Sequence, residues 1–513
     1  MENVFNTDKR ISLGIWGLGR GQNFIQSARH LNIDVVAGCD INEEMRKSFA
    51  RNAPGAFITD NEDEFLARDF DAVLIATYFP DHARHAIKAL AAGKHVMCEV
   101  TSFTTPADGV ALVEAVEKSG KVYHLLENYP FMKANMYLKS LWDEGFFGDF
   151  IYGEYEYVHC ARHLSYAYNF RVDGKDLLVE PGWVVHNWRA ALNVHFYNTH
   201  SLGPLMHITG LRPVAVEAFP NSVNMPGTLA AEGCKSSNAA SLVRMSNGGV
   251  MRNLMGGMTL DNHTGGRLWG TRAGADKMDG NRLRLCIGAD GSGLKTWVEP
   301  EWPEIGRLAE RAGHGGGDFW ELYYFAREIL TGEKGPWDIY AASDVTLAGI
   351  LAARSARHDG APQTIPDFRD RQQREAYRND HDEEAARFDP ATVFPADSDK
   401  ELVKDFNAVL TEFYRHDGAM KHVYTVLQGM RLYNNIIEGY DRLHIVTEAI
   451  RLKKRLPEIK TLCEKARRMA DAYPDSVGGR TLRNALAGSP LDAILNPEKT
   501  IAEIDAWLEG LPR

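Results

Sequence analysis

The stretch RISLGIWGLGRG, residues 10–21, decides the fold of the N-terminal part of the chain. It is an apolar, β-branched run that ends in glycines, and the residues after it open a helix. Glycines at such a turn let the backbone approach a pyrophosphate, whose charge is stabilised by the helix N-terminus. Asp40 ends the next apolar run, 23 residues after Gly17, where a carboxylate can accept hydrogen bonds from an adenosine ribose. The pattern predicts a dinucleotide site that favours NAD, because an acid at position 40 repels the 2′-phosphate of NADP.

Apolar runs and amphipathic stretches alternate through the rest of this region. The runs are Ile33–Asp40, Asp71–Thr77, His95–Glu99 and Val122–Leu126. Such alternation indicates right-handed βαβ units around a parallel sheet. We therefore predict an NAD-binding Rossmann domain over residues 1–128. Its third glycine, Gly21, stands one position early, with Gln22 in the usual place, so the turn is expected to differ in detail.

The pattern changes at Phe150. Ile151–His159 alternates apolar and polar residues, which is typical of an antiparallel strand with one wet face. Further short strand patterns follow, so residues 129–370 are predicted to form an α/β domain with an open, mainly antiparallel sheet. Beyond a densely charged stretch, helical patterns such as Leu443–Arg455 and Pro457–Ala472 predict a helical accessory extension over residues 371–513. The predicted fold class is α/β overall.

The composition excludes several classes of protein. Lys and Arg number 58 against 69 Asp and Glu, a net charge of −11, whereas a general binder of nucleic acid or of anionic membranes needs a basic face. No apolar run is long enough to span a membrane, and Met1–Arg10 has no apolar core of a signal peptide. The six cysteines are scattered without a CxxC pair, which predicts neither a zinc ribbon nor a disulfide framework. We expect a cytoplasmic location.

The residues ALAAGKHVMCE, 89–99, together with the glycine turn, resemble the Gfo/Idh/MocA family of sugar oxidoreductases over about residues 8–370. This resemblance implies a Rossmann domain followed by a domain whose open sheet covers the nicotinamide. It also implies a small carbohydrate substrate and a homo-oligomer. In the dehydrogenases of the family a lysine follows the glutamate and assists proton transfer, but here Val100 follows Glu99. Valine cannot exchange a proton, so either the chemistry differs or another residue supplies the base.

A second motif, FYNTHSLGP at 196–204, contains candidates for that base. On a helix Tyr197 and His200 share one face, and histidine titrates near neutrality. The motif resembles Tyr-x-Thr-His-x-Leu-Gly-Pro of the NAD-dependent glycoside hydrolases of family 109, which implies that both residues are catalytic. The same resemblance implies that Glu127 and His159 bind the substrate.

Four further residues are candidates for the substrate pocket. Family 109 has a second catalytic tyrosine without a counterpart here, and we predict that His263 stands in for it. In HGGGD, 314–318, the acid would suit a helix cap equally well, but a resemblance to a His-Gly-Gly-x-Asp segment of the glycosidases favours His314 as a pocket residue. His186 and Arg189 lie in an aromatic-rich stretch that either reads sugar hydroxyls or is a loop against the sheet.

The cofactor site is predicted from the glycine turn, the strand ends and the resemblance. It comprises Gly17, Gly19, Arg20, Gly21, Asp40, Thr77, His82, Glu99 and Asn128. The histidine spacings match no compact metal-ligand pattern, so no metal is predicted.

These observations predict an NAD-dependent glycoside-cleaving enzyme. In this reaction a sugar is transiently oxidised at C3, the C2 proton is removed, the C1 substituent leaves, water adds and the sugar is reduced again. One alternative is an NAD-dependent sugar or polyol dehydrogenase in which His200 alone is the base. The other is a non-catalytic regulator that binds NAD and a sugar.

Overall fold

A computed structural model describes residues 4–160, 162, 171–172, 175–176, 178–185, 193–221, 223–230, 238–256, 258–278, 282–288, 293–382, 391–415 and 417–511. The chain forms two compact units. The first comprises Met1–Cys160, Asn193–Ser222 and Ser236–Arg387, and the second Ala161–Leu192, Val223–Lys235 and Phe388–Arg513. The second unit thus takes in two segments from the middle of the chain. The domain bounds proposed from the sequence stay a prediction.

The N-terminal part of the first unit is a six-stranded parallel sheet. Its strands are β1 Ile11–Trp16, β2 Ile33–Cys39, β3 Phe57–Thr59, β4 Ala72–Ile75, β5 His95–Glu99 and β6 Tyr123–Leu126. They lie in the order β3-β2-β1-β4-β5-β6, the doubly wound arrangement. The helices between them are α1 Ile25–Ala28, α2 Glu43–Asn52, α3 Glu62–Leu66, α4 His82–Ala91 and α5 Pro106–Ser119. The predicted strands are confirmed, and β3 is an addition that its short length hid from the sequence pattern.

Burial explains why this sheet reads as apolar runs. Every residue of β4 and of β6 is buried, because helices cover both faces of a parallel sheet. The helices begin where side chains cap them: Asn42 accepts hydrogen bonds at the start of α2, and Thr105 accepts one from the amide of Asp108 at the start of α5. The carboxyl ends of β4, β5 and β6 are therefore held at one rigid edge.

The rest of the first unit is built on a nine-stranded sheet. Its strands are β7 Phe150–Cys160, β8 Pro213–Ala218, β9 Asn238–Met245, β10 Val250–Gly256, β11 Met258–Gly270, β12 Ala273–Asp276, β13 Leu283–Ile287, β14 Leu294–Val298 and β15 Gln363–Thr364. The order is β14-β13-β12-β11-β7-β10-β9-β8-β15. The strand predicted over Ile151–His159 pairs antiparallel with β11, as expected, but it pairs in parallel with β10. The sheet is therefore mixed: β9 and β10 form an antiparallel hairpin, whereas the chain between β7 and β10 passes through a helix and two further strands of this sheet.

The helices of this region are α6 Lys133–Asp143, α7 Thr199–Thr209, α8 Gly317–Thr331, α9 Ile339–Arg357 and the short α10 Arg371–Glu375. Single 3₁₀ turns Tyr129–Phe131, Val194–Asn198 and His314–Gly316 precede α6, α7 and α8. Helix α7 packs on β7 and on the turn after β6. This packing brings the predicted catalytic motif to the carboxyl edge of the parallel sheet.

The second unit is mainly helical. Its helices are α11 Lys400–Val403, α12 Phe406–Tyr414, α13 Ala419–Leu432, α14 Gly439–Ala472, α15 Val477–Ala487, α16 Leu491–Leu495 and α17 Pro497–Glu509. They share one apolar core, which also takes in Val179 and Leu229 from the inserted segments. The predicted architecture of a parallel-sheet domain, an open-sheet domain and a helical C-terminal region is confirmed.

One helix corrects the sequence interpretation. Leu443–Arg455 and Pro457–Ala472 were expected to be separate, yet α14 runs through Pro457 without a break. An interior proline costs roughly 3 kcal/mol. Here a buried stripe that includes Leu452, Leu456 and Ile459 continues on both sides of it, and its burial offsets that cost. Across the described ranges, no helix is both long and apolar enough to cross a bilayer.

Candidate active site

The three glycines after β1 have three different surroundings. Gly17 has φ +96°, and a Cβ there would lie 2.3 Å from the carbonyl oxygen of Ala76. A Cβ on Gly21 would lie 2.5 Å from Ile15 Cγ2, whereas a Cβ on Gly19 would meet nothing within 4 Å. These are the roles expected of a dinucleotide turn: a tight bend, an open face for the pyrophosphate and close helix–strand packing. The early position of Gly21 is accommodated because a 3₁₀ turn, Arg20–Phe24, precedes α1.

Asp40 stabilises the same turn from the end of β2. Its Oδ2 accepts a hydrogen bond of 2.7 Å from the amide of Leu18, and its Oδ1 accepts one of 2.8 Å from the amide of Asn42. A carboxylate has about four acceptor positions, so two stay available for ribose hydroxyls. The turn and this acid therefore fit the adenosine half of NAD.

A buried histidine–carboxylate pair lies where α7 meets the end of β6. His200 Nδ1 is 2.8 Å from Oε1 and 3.0 Å from Oε2 of Glu127, which is completely buried. Gly203, one turn further along α7, permits this contact, since a Cβ there would lie 3.2 Å from Glu127 Cγ. The carboxylate fixes a proton on Nδ1, so that Nε2 is the atom that can accept a proton from a substrate. Glu127, predicted to hold substrate hydroxyls, instead contacts the histidine and the amide of Tyr129.

Aromatic rings surround His200. The ring centres of Tyr157, Tyr129 and Tyr197 lie 4.7, 4.8 and 5.3 Å from that of His200. His159 packs on Tyr157 at 4.4 Å. The structure thus brings together three residues predicted from the sequence, Tyr197, His200 and His159. Tyr129 and Tyr157 were missed, although the alternation of β7 could have placed Tyr157 on the buried face.

A second ionic cluster forms around Arg20. Its guanidinium donates hydrogen bonds of 2.7 and 2.8 Å to the two oxygens of Asp318, and its Nε lies 3.0 Å from Glu99 Oε1 as an ion pair without hydrogen-bond geometry. His314 Nδ1 is 2.9 Å from Asp318 Oδ1. Burial disfavours the Asp318 anion, but His314 and Arg20 hold the pKa of Asp318 well below its usual range. Asp318 therefore joins the glycine turn to His314 and does not cap its own helix.

Asn128 and Glu99 present unused buried atoms beside this cluster. Asn128 donates to Asp318 over 3.3 Å, while its Oδ1, like Glu99 Oε1, has no hydrogen-bond partner among the described residues. Burial raises the pKa of Glu99. The free Asn128 Oδ1 and the ion-paired Glu99 carboxylate, at the ends of β6 and β5, fit the nicotinamide half of NAD, which would bind at this edge of a doubly wound sheet.

Two predicted cofactor residues have protein partners. His82 is buried, with Nδ1 2.9 Å from the carbonyl oxygen of Thr101 and Nε2 3.2 Å from that of Thr77. Burial lowers the pKa of His82. Thr77 Oγ1 contacts His85 Nδ1 at 2.8 Å. Both residues hold the loops after β4 and β5 together, and their contact with NAD stays a prediction.

The structure does not bring His263 to His200. His263 Nδ1 lies 2.6 Å from Glu156 Oε2, and its side chain is more than half exposed. Glu156 precedes Tyr157 on β7 and therefore points to the opposite face of the sheet. His186 and Arg189 lie outside the described residues. Where the chain is described, no three His, Cys, Asp or Glu side chains converge in a way that could hold a metal ion.

A cavity of about 530 Å³ opens beside the Arg20 cluster. Its lining includes Arg20, His314 and Asp318 together with Gln22, Asn23 and Gln26 of the first helical turns. His200 and Tyr197 are not part of its wall. The ionic cluster is therefore reachable from solvent.

Residues 11–126 match the model of the oxidoreductase family with an NAD-binding Rossmann fold. Residues 291–374 match the model of the glycosyl hydrolase 109 C-terminal domain. A glycosyl hydrolase family 109 protein of Shewanella putrefaciens is 24% identical over 398 residues, which cover 70% of this chain and 85% of that protein. A relative of the same description from Shewanella baltica has the same identity and coverage.

Solved structures share the fold. Levoglucosan dehydrogenase in complex with NADH and levoglucosan matches with a TM-score of 0.57 at 18% identity, over 70% of this chain and 100% of the other. An inositol dehydrogenase homologue from Azotobacter vinelandii, complexed with NADH and myo-inositol, has a TM-score of 0.55 at 19% identity, over 70% and 98% of the two chains. The predicted resemblance to the Gfo/Idh/MocA family and its glycoside hydrolase branch is confirmed. So are the predictions of an enzyme and of NAD as cofactor.

Proposed function

We propose that this chain is a sugar-acting enzyme that cleaves a glycosidic bond through transient oxidation at C3, without net redox change. The observation that carries the proposal is the buried Glu127–His200 pair, which leaves Nε2 of the histidine as a base among three tyrosines. The match of residues 291–374 to a glycosyl hydrolase domain and the relatives of that description support the same branch.

The residues of this chain have distinct tasks in the proposed reaction. Bound NAD supplies a reversible acceptor for the C3 hydride. His200 and Tyr197 take up and return the protons of the C3 hydroxyl and of C2, with Glu127 stabilising the imidazolium that forms. Loss of the C2 proton expels the C1 substituent, and water then adds at C1. His159 and His314 are proposed to bind sugar hydroxyls, and His186, Arg189 and His263 keep their predicted substrate roles only as proposals.

Val100 is consistent with this route. Its side chain is buried and apolar, so it cannot move a proton at the position where dehydrogenases of the family use a lysine. The Glu127–His200 pair reaches the same edge of the sheet from α7, and it does so with a tautomer fixed by a fully buried carboxylate. A lysine is not required when the base arrives from another element.

The test uses a panel of aryl glycosides with the full-length chain. Release of the aglycone without accumulation of reduced nicotinamide, together with solvent deuterium at C2 of the product, supports the proposal. Stoichiometric reduced nicotinamide without aglycone release would instead identify a dehydrogenase. Binding of NAD and sugar with neither signal would identify a regulator, and either outcome refutes the proposal.

Tyr157 offers a matched pair of variants. Its ring packs against His200, whereas Tyr155 on the same strand and face is buried with its hydroxyl unpartnered among the described residues. We expect Tyr157→Phe to lower kcat by about 10²-fold or more if its hydroxyl transfers or orients a proton. The Tyr155 hydroxyl makes no hydrogen bond with any described residue. Tyr155→Phe, which removes it, is therefore expected to leave kcat unchanged. Equal effects of the two variants would remove Tyr157 from the proposed site.

A cytoplasmic location and a homo-oligomer are proposed alongside this function. Cys39, Cys98, Cys286 and Cys463 are free thiols, which suits a reducing compartment. The oligomer is proposed from the family resemblance and is measurable by light scattering of the purified chain.

A further inference from the structure

Glu321 is a buried acid beside the Arg20 cluster. It lies on α8 one turn after Asp318 and is 3% exposed. Neither of its carboxyl oxygens has a hydrogen-bond partner in the part of the chain that the structure describes. A buried group in this state is costly unless it is neutral or awaits a ligand.

Carboxylates outnumber cations among the charged groups that act on Glu321. Three further carboxylates interact with it, namely Asp318 on its own helix, Glu99 after β5 and Glu127 after β6; among the described residues that act on it, Arg20 is the permanent cation. Asp318 takes both terminal nitrogens of that guanidinium. His200 and His314, the nearby titratable bases, are bound to Glu127 and Asp318.

A cluster with more acids than bases binds a proton when it is buried. Burial, followed by the charges of Asp318 and Glu99, raises the pKa of Glu321 well above its usual value. Burial and the surrounding carboxylates therefore favour the neutral form of Glu321 over its anion.

The position of the cluster relates it to the cofactor. The topological switch point of the sheet, where the strand order reverses, lies between β1 and β4. Strands β1 and β2, with the glycine turn and Asp40, lie on one side of it. Strands β4, β5 and β6, with Glu99 and Glu127 at their carboxyl ends, lie on the other side. A dinucleotide bound across this edge with its adenosine near Asp40 would extend its nicotinamide half toward the side of the sheet that carries Glu99.

We propose that Glu321 links the binding of NAD to a proton, so that the enzyme distinguishes the two charge states of the nicotinamide. The oxidised ring is a cation and the reduced ring is neutral. When the cation binds beside the cluster, the Glu321 carboxylic acid dissociates into a carboxylate and a proton, and the proton leaves to solvent. When the reduced form binds, the acid stays intact and no proton is released.

The linkage has a measurable consequence. If NAD⁺ binding releases one proton more than NADH binding, the ratio of the Kd for NAD⁺ to the Kd for NADH falls up to tenfold for each unit of rising pH. This consequence requires NAD binding only. It holds whether the bound sugar is hydrolysed or oxidised, so its failure is separable from failure of the proposed function.

The experiment is calorimetric titration of the full-length, nucleotide-free chain with NAD⁺ and with NADH near pH 7. Each titration is repeated in buffers of different ionisation enthalpy, which yields the number of protons released on binding. The wild-type chain is expected to release more protons with NAD⁺ than with NADH. Glu321→Gln, which cannot ionise, is expected to abolish that difference while binding NADH within about threefold of the wild type. Glu333→Gln, an exposed glutamate just beyond the same helix, is the control and should behave as the wild type.

Equal proton numbers for the two cofactor forms in the wild type would overturn the proposal. So would a difference that persists in Glu321→Gln. If that variant does not fold, the wild-type pH dependence still decides the matter, because a ratio of dissociation constants that is constant between pH 6 and 8 excludes the linkage.

Discussion

The three glycines after β1 are predicted to separate folding from cofactor binding. Gly17→Ala forces a side chain onto φ +96° and against the backbone of Ala76 at 2.3 Å. Gly21→Ala brings a Cβ to 2.5 Å from a methyl group of Ile15, which has some freedom to move. Gly19→Ala adds a methyl group where nothing lies within 4 Å, on a residue with the ordinary φ of −71°.

The magnitudes follow from these contacts. The strain at position 17 alone costs about 1–3 kcal/mol, and the backbone contact adds to it. Overpacking at position 21 costs about 1–3 kcal/mol. Gly19→Ala is expected to leave stability unchanged or to raise it by about 0.4–1 kcal/mol, because it restricts only the unfolded chain. In the loaded protein its methyl group displaces the pyrophosphate from a backbone N–H, and losing one such charged hydrogen bond weakens binding by about 10- to 150-fold.

Thermal unfolding of the nucleotide-free chain and titration with NADH, followed by its fluorescence, measure the two quantities on the same samples. Gly19→Ala should unfold at the wild-type temperature yet bind NADH far more weakly. Gly17→Ala and Gly21→Ala should both unfold at lower temperature. Unchanged NADH affinity in a folded Gly19→Ala chain would refute the assignment of this turn to the pyrophosphate.

Three further outcomes are expected. Glu127→Gln should lower kcat by about 10- to 10⁴-fold on any glycoside that the wild type cleaves, with KM little changed, because a neutral amide stabilises the imidazolium less and permits the wrong tautomer; wild-type kcat would contradict this. Asp318→Asn should destabilise the first unit by about 2–3 kcal/mol, near the lower end for a broken buried ion pair, since the guanidinium is a quarter exposed. Because folding lowers the pKa of Asp318, the stability that its carboxylate contributes is present at neutral pH and is lost as the pH falls below about 4. The loss of unfolding free energy in Asp318→Asn, measured by denaturant unfolding, should therefore be constant from about pH 5 to 8 and shrink in acid. Truncation after Arg387 should yield insoluble or protease-sensitive protein, because Val179 and Leu229 lose the helical core that buries them; a soluble, stable product would refute that interdependence.

The sequence predicted well what local pattern determines. Strands that are buried on both faces read as short apolar runs, which is why β1, β2, β4, β5 and β6 could be identified within two residues. Tyr197 and His200 could be paired because they stand three positions apart, where a 3₁₀ turn leads into a helix. Such features depend on neighbours in the chain, and neighbours are what a single sequence displays.

Contacts between distant segments were beyond this kind of inference. Arg20 and Asp318 are 298 residues apart, and nothing in the GLGRG turn indicates that its arginine binds a carboxylate instead of solvent or cofactor. Glu127 and His200 were each identified, but their direct contact over 73 residues changed the role of the glutamate. The position of His263 was hidden for a related reason, because the face on which a strand residue lies depends on the register with its neighbour; its substrate role stays a prediction.

The valine at position 100 connects the proposed reaction with the proposed proton linkage. In the dehydrogenases that the chain resembles, a lysine at this position adds a permanent cation next to the glutamate that Glu99 matches. With Val100, Arg20 is the permanent cation among the described residues that act on Glu321, and three carboxylates act on it as well, which favours its protonated form. Valine in place of that lysine removes a proton-transferring group on the substrate side. It also leaves Glu321 as a buried acid that can bind and release a proton on the cofactor side. A site arranged in this way stabilises the oxidised cofactor more as the cluster ionises, which suits a reaction that begins with oxidation of the sugar and must end by returning the hydride.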